Sequence, residues 1–257
     1  MIKKILFYLA LFLALAVLIW YYLEIGRSIK VLSDSSPIGH ADWTELLKKH
    51  VQDGKVNYQG FQAERGKLDA YIATLEAGHP NEKHWSEAEQ LAYWINVYNA
   101  YTIQLILDHY PVQSIRDIKE GVPFINSVWD LDFIQIEGHT YSLNDVEHRI
   151  LRREFEEPRI HFAIVCASIS CPKLRNEAFE ANRLEEQLQD QAIDFLTDPI
   201  KNQINANQMA LSRIFLWFRG DFTKDQTIQE FINPFLQLEI TSETTFTYLE
   251  YDWGLNE

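Results

Sequence analysis

The sequence predicts an α+β fold, with a helical N-terminal half packed on a small mixed or antiparallel sheet and one transmembrane helix ahead of it. Three observations carry this. Apolar residues recur at three- and four-residue spacing through the first half of the globular part. Short alternating runs with a glycine turn follow from residue 133 onward. An uncharged apolar stretch stands near the N-terminus.

That stretch, Ile5 to Leu23, is 19 residues long. As a helix it measures about 28 Å at 1.5 Å per residue, close to the hydrocarbon thickness of a bilayer. Lys3 and Lys4 precede it, which orients the N-terminus to the cytoplasm, and Trp20, Tyr21 and Tyr22 gather at the far end as in an aromatic belt. No small-residue cleavage triplet follows, which favours an uncleaved signal anchor over a removed signal peptide. The expected organisation is an anchor over residues 1–25, a polar linker over 26–39 and one globular domain over 40–257. The expected location is the cell membrane, single-pass, with the globular domain outside the cytoplasm in a periplasmic or similar space.

Within the domain, Trp43 to Val51 reads as a short amphipathic helix, and Gly54 to Tyr58 as an extended connector. Phe61 to Leu75 reads as a second helix. Ser86 to Leu107 is the strongest helix signal. Ser86 and Glu89 form a capping-box pattern, Leu91, Trp94, Ile95, Tyr98, Tyr101, Thr102 and Leu105 keep helical spacing, and Pro111 stops the run. Phe133 to Ser142 predicts a hairpin turning at Glu137-Gly138. Leu143 to Arg153 predicts a helix. Ile160 to Cys166 is a continuous apolar run and predicts a buried central strand. Asn182 to Leu196 predicts a helix, Met209 to Trp217 a strand or extended piece, Thr227 to Leu236 a helix and Thr244 to Tyr251 a terminal strand.

The chain has 257 residues, a formal charge of −14 and 47% apolar residues, enough for a real core. The acidic balance, with no cluster of Lys or Arg, argues against nucleic acid as a partner. The expected partners are the membrane, through residues 5–23, and a small-molecule or peptide ligand. No P-loop, dinucleotide fingerprint or zinc-protease motif occurs, and no cofactor is implied. Cys166-x4-Cys171 lacks standard zinc spacing, so a metal site from Cys166, His148 and His161 is weakly signalled and none is assigned.

The chemistry-bearing residues concentrate between His148 and Cys171, which include both cysteines. Cys166 ends the apolar run and enters a loop, a position suited to a reactive thiol, although free cysteines are more often simply buried. Cys171, before Pro172, fits a structural role or a disulfide with Cys166. His148 has the right ordinary pKa for a general base. Glu147 is its neighbour, and adjacent helical residues do not face each other, so the two flank one cleft at most. His161 lies five residues before Cys166, and odd spacing on a regular strand sends the two to opposite faces, which predicts a satisfied core histidine. Asn96 and Asn99 share one face of the long helix and predict either a polar network or donors to a ligand.

Several blocks together resemble the DUF547 family, a domain of unknown function. They are Ala92-Tyr93-Trp94-Ile95-Asn96-Val97-Tyr98-Asn99-Ala100, Glu147-His148-Arg149-Ile150-Leu151, His161 to Cys166, Ser170-Cys171-Pro172, Ser212-Arg213-Ile214-Phe215 with Asp221-Phe222, and Tyr248 to Trp253. The resemblance covers roughly residues 40–257. It implies that Asn96, Asn99, Glu147, His148, His161 and Cys166 recur in that family, and it implies no activity. The functional expectation is a polar cleft of Asn96, Asn99, Glu147, His148 and Cys166 that supports thiol-dependent hydrolysis or acyl transfer. The rival expectation is a non-catalytic ligand-binding or envelope-assembly module.

Overall fold

The computed structural model describes residues 2–25, 33–119 and 127–257, and within the first helix the side chains of residues 4 and 7–17. The architecture is α+β, with many helices and three small sheets. A helix does form over Ile2–Ile25, but among the described residues no helix is long and apolar enough to cross a membrane. The single-pass anchor over residues 5–23 is therefore corrected, and the extracytoplasmic location that rested on it falls with it. Of the expected linker, residues 26–32 lie outside the described residues. The remainder is docked: Ser35 Oγ donates to the His79 carbonyl, and Trp85 Nε1 donates to the Ser35 carbonyl.

The long helix Glu87–His109 is the centre of the molecule. It starts at the Ser86–Glu89 capping box and is buried nearly all round, so it is a core helix rather than a surface one. Helices Ala41–His50 and Arg65–Glu76 pack around it. The expected single helix from Phe61 to Leu75 is broken at Glu64 into Tyr58–Ala63 and Arg65–Glu76. The expected connector at Gly54 is a tight antiparallel hairpin, Val51–Gln52 with Lys55–Val56, turning through Asp53 and Gly54 at positive φ. The hairpin Ile134–Ile136 with His139–Tyr141 forms as the sequence predicts, and Gly138 takes φ 76° in its turn.

A second core lies in the C-terminal part, built from Phe162, Phe195, Phe215, Phe222 and Phe231. Beside it stands a three-stranded mixed sheet, in which Gln208–Leu211 pairs antiparallel with Gln203–Ile204 and parallel with Thr245–Tyr248. The helical half therefore packs around its own central helix, and this sheet belongs to the other core. The segment from Ile160 to Val165 is the seam between them. Phe162 enters the second core, whereas Ile160, Ala163, Ile164 and Val165 enter the first.

The predicted strand over Ile160 to Cys166 does not exist. One helical turn, Ile160–Ala163, leads into an extended step. The apolar composition fits either structure, and what decides is the side chain of Asn99. Its Nδ2 donates to the Ala163 carbonyl at 2.9 Å and its Oδ1 accepts from Val165 N at 3.0 Å. These bonds replace the sheet neighbours that a central strand would need.

Candidate functional site

At this seam lies a cavity of about 200 Å³ whose lining includes Glu147, His148, His161, Cys166 and Cys171. Each side chain arrives on irregular backbone. Glu147 and His148 stand on a π-helical stretch, Asp145–Leu151, whose wider turn displaces neighbouring side chains from α-helical positions. Adjacent residues on an α-helix diverge, yet here both line one cavity. Cys166 follows the Asn99-fixed turn and precedes Ala167, a non-glycine residue at φ 56°. That left-handed conformation costs about 1–2 kcal/mol. It is held by the C-terminal segment, whose Asn256 N donates to the Ala167 carbonyl and whose Leu255 bridges to Ser168.

Cys166 and Cys171 are both free thiols. Cys166 is partly exposed and Cys171 is buried. Cys166 N donates to Cys171 Sγ at 2.9 Å, while Cys166 Sγ lies 3.2 Å from both Ser168 Oγ and Tyr251 Oη. Hydrogen bonding from the Cys171 thiol, joined by Ser168 and Tyr251, outweighs burial and pushes the Cys166 thiol down to about 7. Burial, together with donation to Cys166, pushes Cys171 up. Cys166 is thus the more acidic thiol of the pair, and Cys171 keeps its proton.

The histidines divide the work differently from the sequence expectation. His148 Nδ1 lies 2.9 Å from a terminal guanidinium nitrogen of Arg152. A guanidinium only donates, so Nδ1 accepts and the proton of the neutral ring resides on Nε2. Burial, helped by the Arg152 charge, pushes His148 down to about 4, so the ring is neutral at pH 7. His148 therefore presents an N–H into the cavity, with its lone pair already taken by Arg152. It shares no hydrogen bond with Cys166 among the described residues.

His161 was expected to be a core residue facing away from Cys166, an expectation that assumed a strand. On the helical turn it lines the same cavity. Its Nε2 lies 2.7 Å from Asp221 Oδ2, and its ring stacks on Phe218 at 4.0 Å. Burial weighs against the Asp221 charge, but bonds from Arg152 and His161 hold its carboxyl well below the usual range. An ionised Asp221 accepts the proton of Nε2, which leaves the lone pair of a neutral His161 on Nδ1. Among the described residues Nδ1 has no hydrogen-bond partner, and it is not one of the sealed polar atoms. Burial, only partly offset by Asp221, lowers the pKa of His161, so the free base predominates at neutral pH.

Glu147 is buried and accepts a hydrogen bond from Tyr98 Oη at 3.2 Å. Burial pushes its carboxyl up to about 7, against the pull of Tyr98 and Arg152. Asn96 and Asn99 do not line the cavity. Asn96 Nδ2 donates to the Phe179 carbonyl and its Oδ1 accepts from Phe179 N. Asn96 thus ties the helix to a distant chain segment, and Asn99 fixes the turn before Cys166. Among the described residues no three His, Cys, Asp or Glu side chains converge as metal ligands.

Sequence reasoning flagged Asp221 only within a family block and missed its role. The sole local signal is Asp221-Phe222, 60 residues from the histidine it holds. Tyr251, which bonds the Cys166 sulfur, and Trp253 were likewise flagged only within a family block, and Trp217 and Phe218 of the aromatic wall were missed.

The family model described as "Protein of unknown function, DUF547" matches residues 82–196. The match includes Tyr98, Glu147, His148, His161, Cys166 and Cys171, while Asp221 and the aromatic wall lie beyond it. No curated protein and no solved structure matches the chain.

Proposed function

Residues 82–196 match the DUF547 family model, whose description assigns no chemistry, so we propose a function from the cavity itself: thiol-dependent hydrolysis or acyl transfer at Cys166. The observation that carries this reading is one cavity lined both by a partly exposed thiol of lowered pKa and by an imidazole held by a carboxylate. This is the arrangement of nucleophile, base and orienting group that thiol enzymes need.

The roles follow from the protonation states. His161 Nδ1 takes the thiol proton of Cys166, and Asp221 stabilises the imidazolium that forms. The sulfur attacks the acyl carbon, the bond to the leaving group breaks, and His161 returns the proton to that group. Water, or a second acceptor, then cleaves the thioester and restores the thiol. His148 Nε2–H, with its tautomer fixed by Arg152, is the donor for the developing oxyanion.

A second reading has its own support. Glu147 titrates near 7 and feels the charge of Cys166, which fits a carboxylate base in place of His161.

The test is intact-mass analysis and burst kinetics of the full chain with 4-nitrophenyl acyl esters. A covalent acyl adduct on Cys166 is expected, lost in Cys166→Ala. If His161→Ala lowers the acylation rate about 100-fold or more and Glu147→Gln does not, His161 is the base; the reverse pattern assigns Glu147. Failure of every ester to modify Cys166, together with alkylation of Cys166 at an ordinary thiol pKa, would remove the reading.

A further inference from the structure

The same cavity has a second property that its chemistry leaves unused: its walls are apolar. Ile164, Val165, Pro172 and Ile214 line it, and among the described residues no Lys or Arg does. Arg152 lies over the Phe218 ring, engaged with Asp221 and His148, and Arg116 lies over the Trp253 ring. A carboxylate or phosphate on the acyl part of a substrate would therefore meet no cation in the lining itself, and it would face the carboxyl of Glu147. A cationic acyl part would have to leave water for these apolar walls with one partly protonated carboxyl as partner, a poor exchange.

The aromatic wall continues out of the cavity. Tyr251, Trp217 and Trp253 form one cluster, with ring centroids 4.8 Å apart for Trp217–Tyr251 and 5.7 Å apart for Trp217–Trp253. Trp217, which lines the cavity, is also 44% exposed, so its ring meets both the cavity and solvent. Tyr251 links this wall to the reacting atom, because its hydroxyl lies 3.2 Å from Cys166 Sγ.

We infer that the acyl group transferred to Cys166 is uncharged and apolar, a short chain lying along the wall of Ile164, Ile214 and Trp217. This rests on the thiol reading above and names its substrate class. A cavity of about 200 Å³ is many times the space one water needs, so it admits a short chain and not a methyl group alone. In the step itself, the thiolate forms a carbon–sulfur bond, the carbon–oxygen bond of the ester breaks, and the departing oxygen takes the proton held by His161. Water then hydrolyses the thioester, releasing the apolar acid.

The experiment compares four 4-nitrophenyl esters on the full chain: acetate, hexanoate, succinate and 6-aminohexanoate. It reads kcat/KM and the mass of the Cys166 adduct. Hexanoate exceeds acetate by about 100-fold, since each buried methylene contributes about 0.8 kcal/mol. Succinate and 6-aminohexanoate fall at least about 100-fold below hexanoate. Trp217→Ala, at an exposed position that the fold does not need, lowers the hexanoate-to-acetate ratio about tenfold. A flat series, or one led by either charged ester, overturns the inference while an adduct on Cys166 leaves the thiol chemistry standing. Absence of any adduct removes the chemistry and the inference with it.

Discussion

The long helix and the cavity wall hold the same kinds of polar residue and treat them in opposite ways. Asn96 and Asn99 are fully buried, and the amide oxygen and nitrogen of each are bonded to backbone. Glu147, His148, His161 and Cys166 are buried or nearly so, yet each has shifted protonation, and both imidazoles have one nitrogen without a protein partner among the described residues. The first group has its bonding capacity used up and holds the chain in place. The second has capacity left over and faces a space that something can enter. What separates the two groups is unspent hydrogen bonding: the asparagines have none left, and the titratable cavity residues do.

The largest expected effect tests the structural side. Asn99→Ala leaves the Ala163 carbonyl and Val165 N buried without partners, at about 1–3 kcal/mol each. A loss of about 3–4 kcal/mol in urea unfolding is expected, with a raised apparent pKa of Cys166 because the turn before it loosens. Asn96→Ala should cost a similar amount and leave the Cys166 pKa unchanged, as its partner is the remote Phe179. If both variants shift the thiol equally, the two asparagines do not differ as argued.

Glu147 gives the next effect, with the opposite sign. Its folded pKa, raised to about 7, lies above its unfolded value of about 4.3. Below pH 4 the group is protonated in both states and contributes nothing. As pH rises from about 4.5 to 7 the unfolded chain releases this proton first, so folding loses stability, by about 3 kcal/mol at most. Glu147→Gln keeps the shape and removes the titration. It should therefore be more stable than wild type at pH 8 by about 1–3 kcal/mol, and equal to it near pH 4. An Asp221 variant runs the other way. The depressed carboxyl of Asp221 contributes stability that is present above about pH 4 and lost as pH falls further, and Asp221→Asn abolishes that acid-side loss. Urea midpoints across pH separate the two, and a Glu147→Gln curve parallel to wild type would show the carboxyl ionised as usual.

Much of this division was legible in the sequence, and the failures have specific causes. The capping box at Ser86 and Glu89 and the hairpin around Gly138 are local signals, and local physics decided them. Of the polar residues flagged, Glu147, His148, His161 and Cys166 line one cavity, and Asn96 and Asn99 do not. Their sorting was not legible, because it depends on contacts between distant segments: Phe179 for Asn96, Ala163 and Val165 for Asn99, Asp221 for His161. His161 is buried and hydrogen-bonded as expected, but its expected separation from Cys166 failed for a sharper reason. An apolar run of seven residues fits a strand and a buried turn equally well, and the parity argument that turned His161 from Cys166 holds only on a strand. The π-helical stretch under Glu147 and His148 has no recognised sequence signal either, so two neighbours expected to diverge line the same cavity. The apolar N-terminal run was a clear composition signal, but among the described residues no helix is long and apolar enough to cross a membrane.

The smallest expected effect concerns the joint between the two regions. Ala167 sits at φ 56° directly after the nucleophile and is 1% exposed. Ala167→Gly relieves about 1–2 kcal/mol of left-handed strain, loses about 0.8 kcal/mol of methyl burial, and adds about 0.5–1 kcal/mol of unfolded-state entropy. These terms nearly cancel, so the urea midpoint should move by less than about 1 kcal/mol in either direction. The thiol should respond more than the fold does. Ser168 Oγ and Tyr251 Oη meet Cys166 Sγ only while the backbone holds its bend, and a glycine there lets the bend relax. An apparent Cys166 pKa that rises while stability stays level would locate the strain in the service of the sulfur. A pKa that stays near 7 would show that the C-terminal segment alone, through Asn256 and Leu255, is enough to hold the loop.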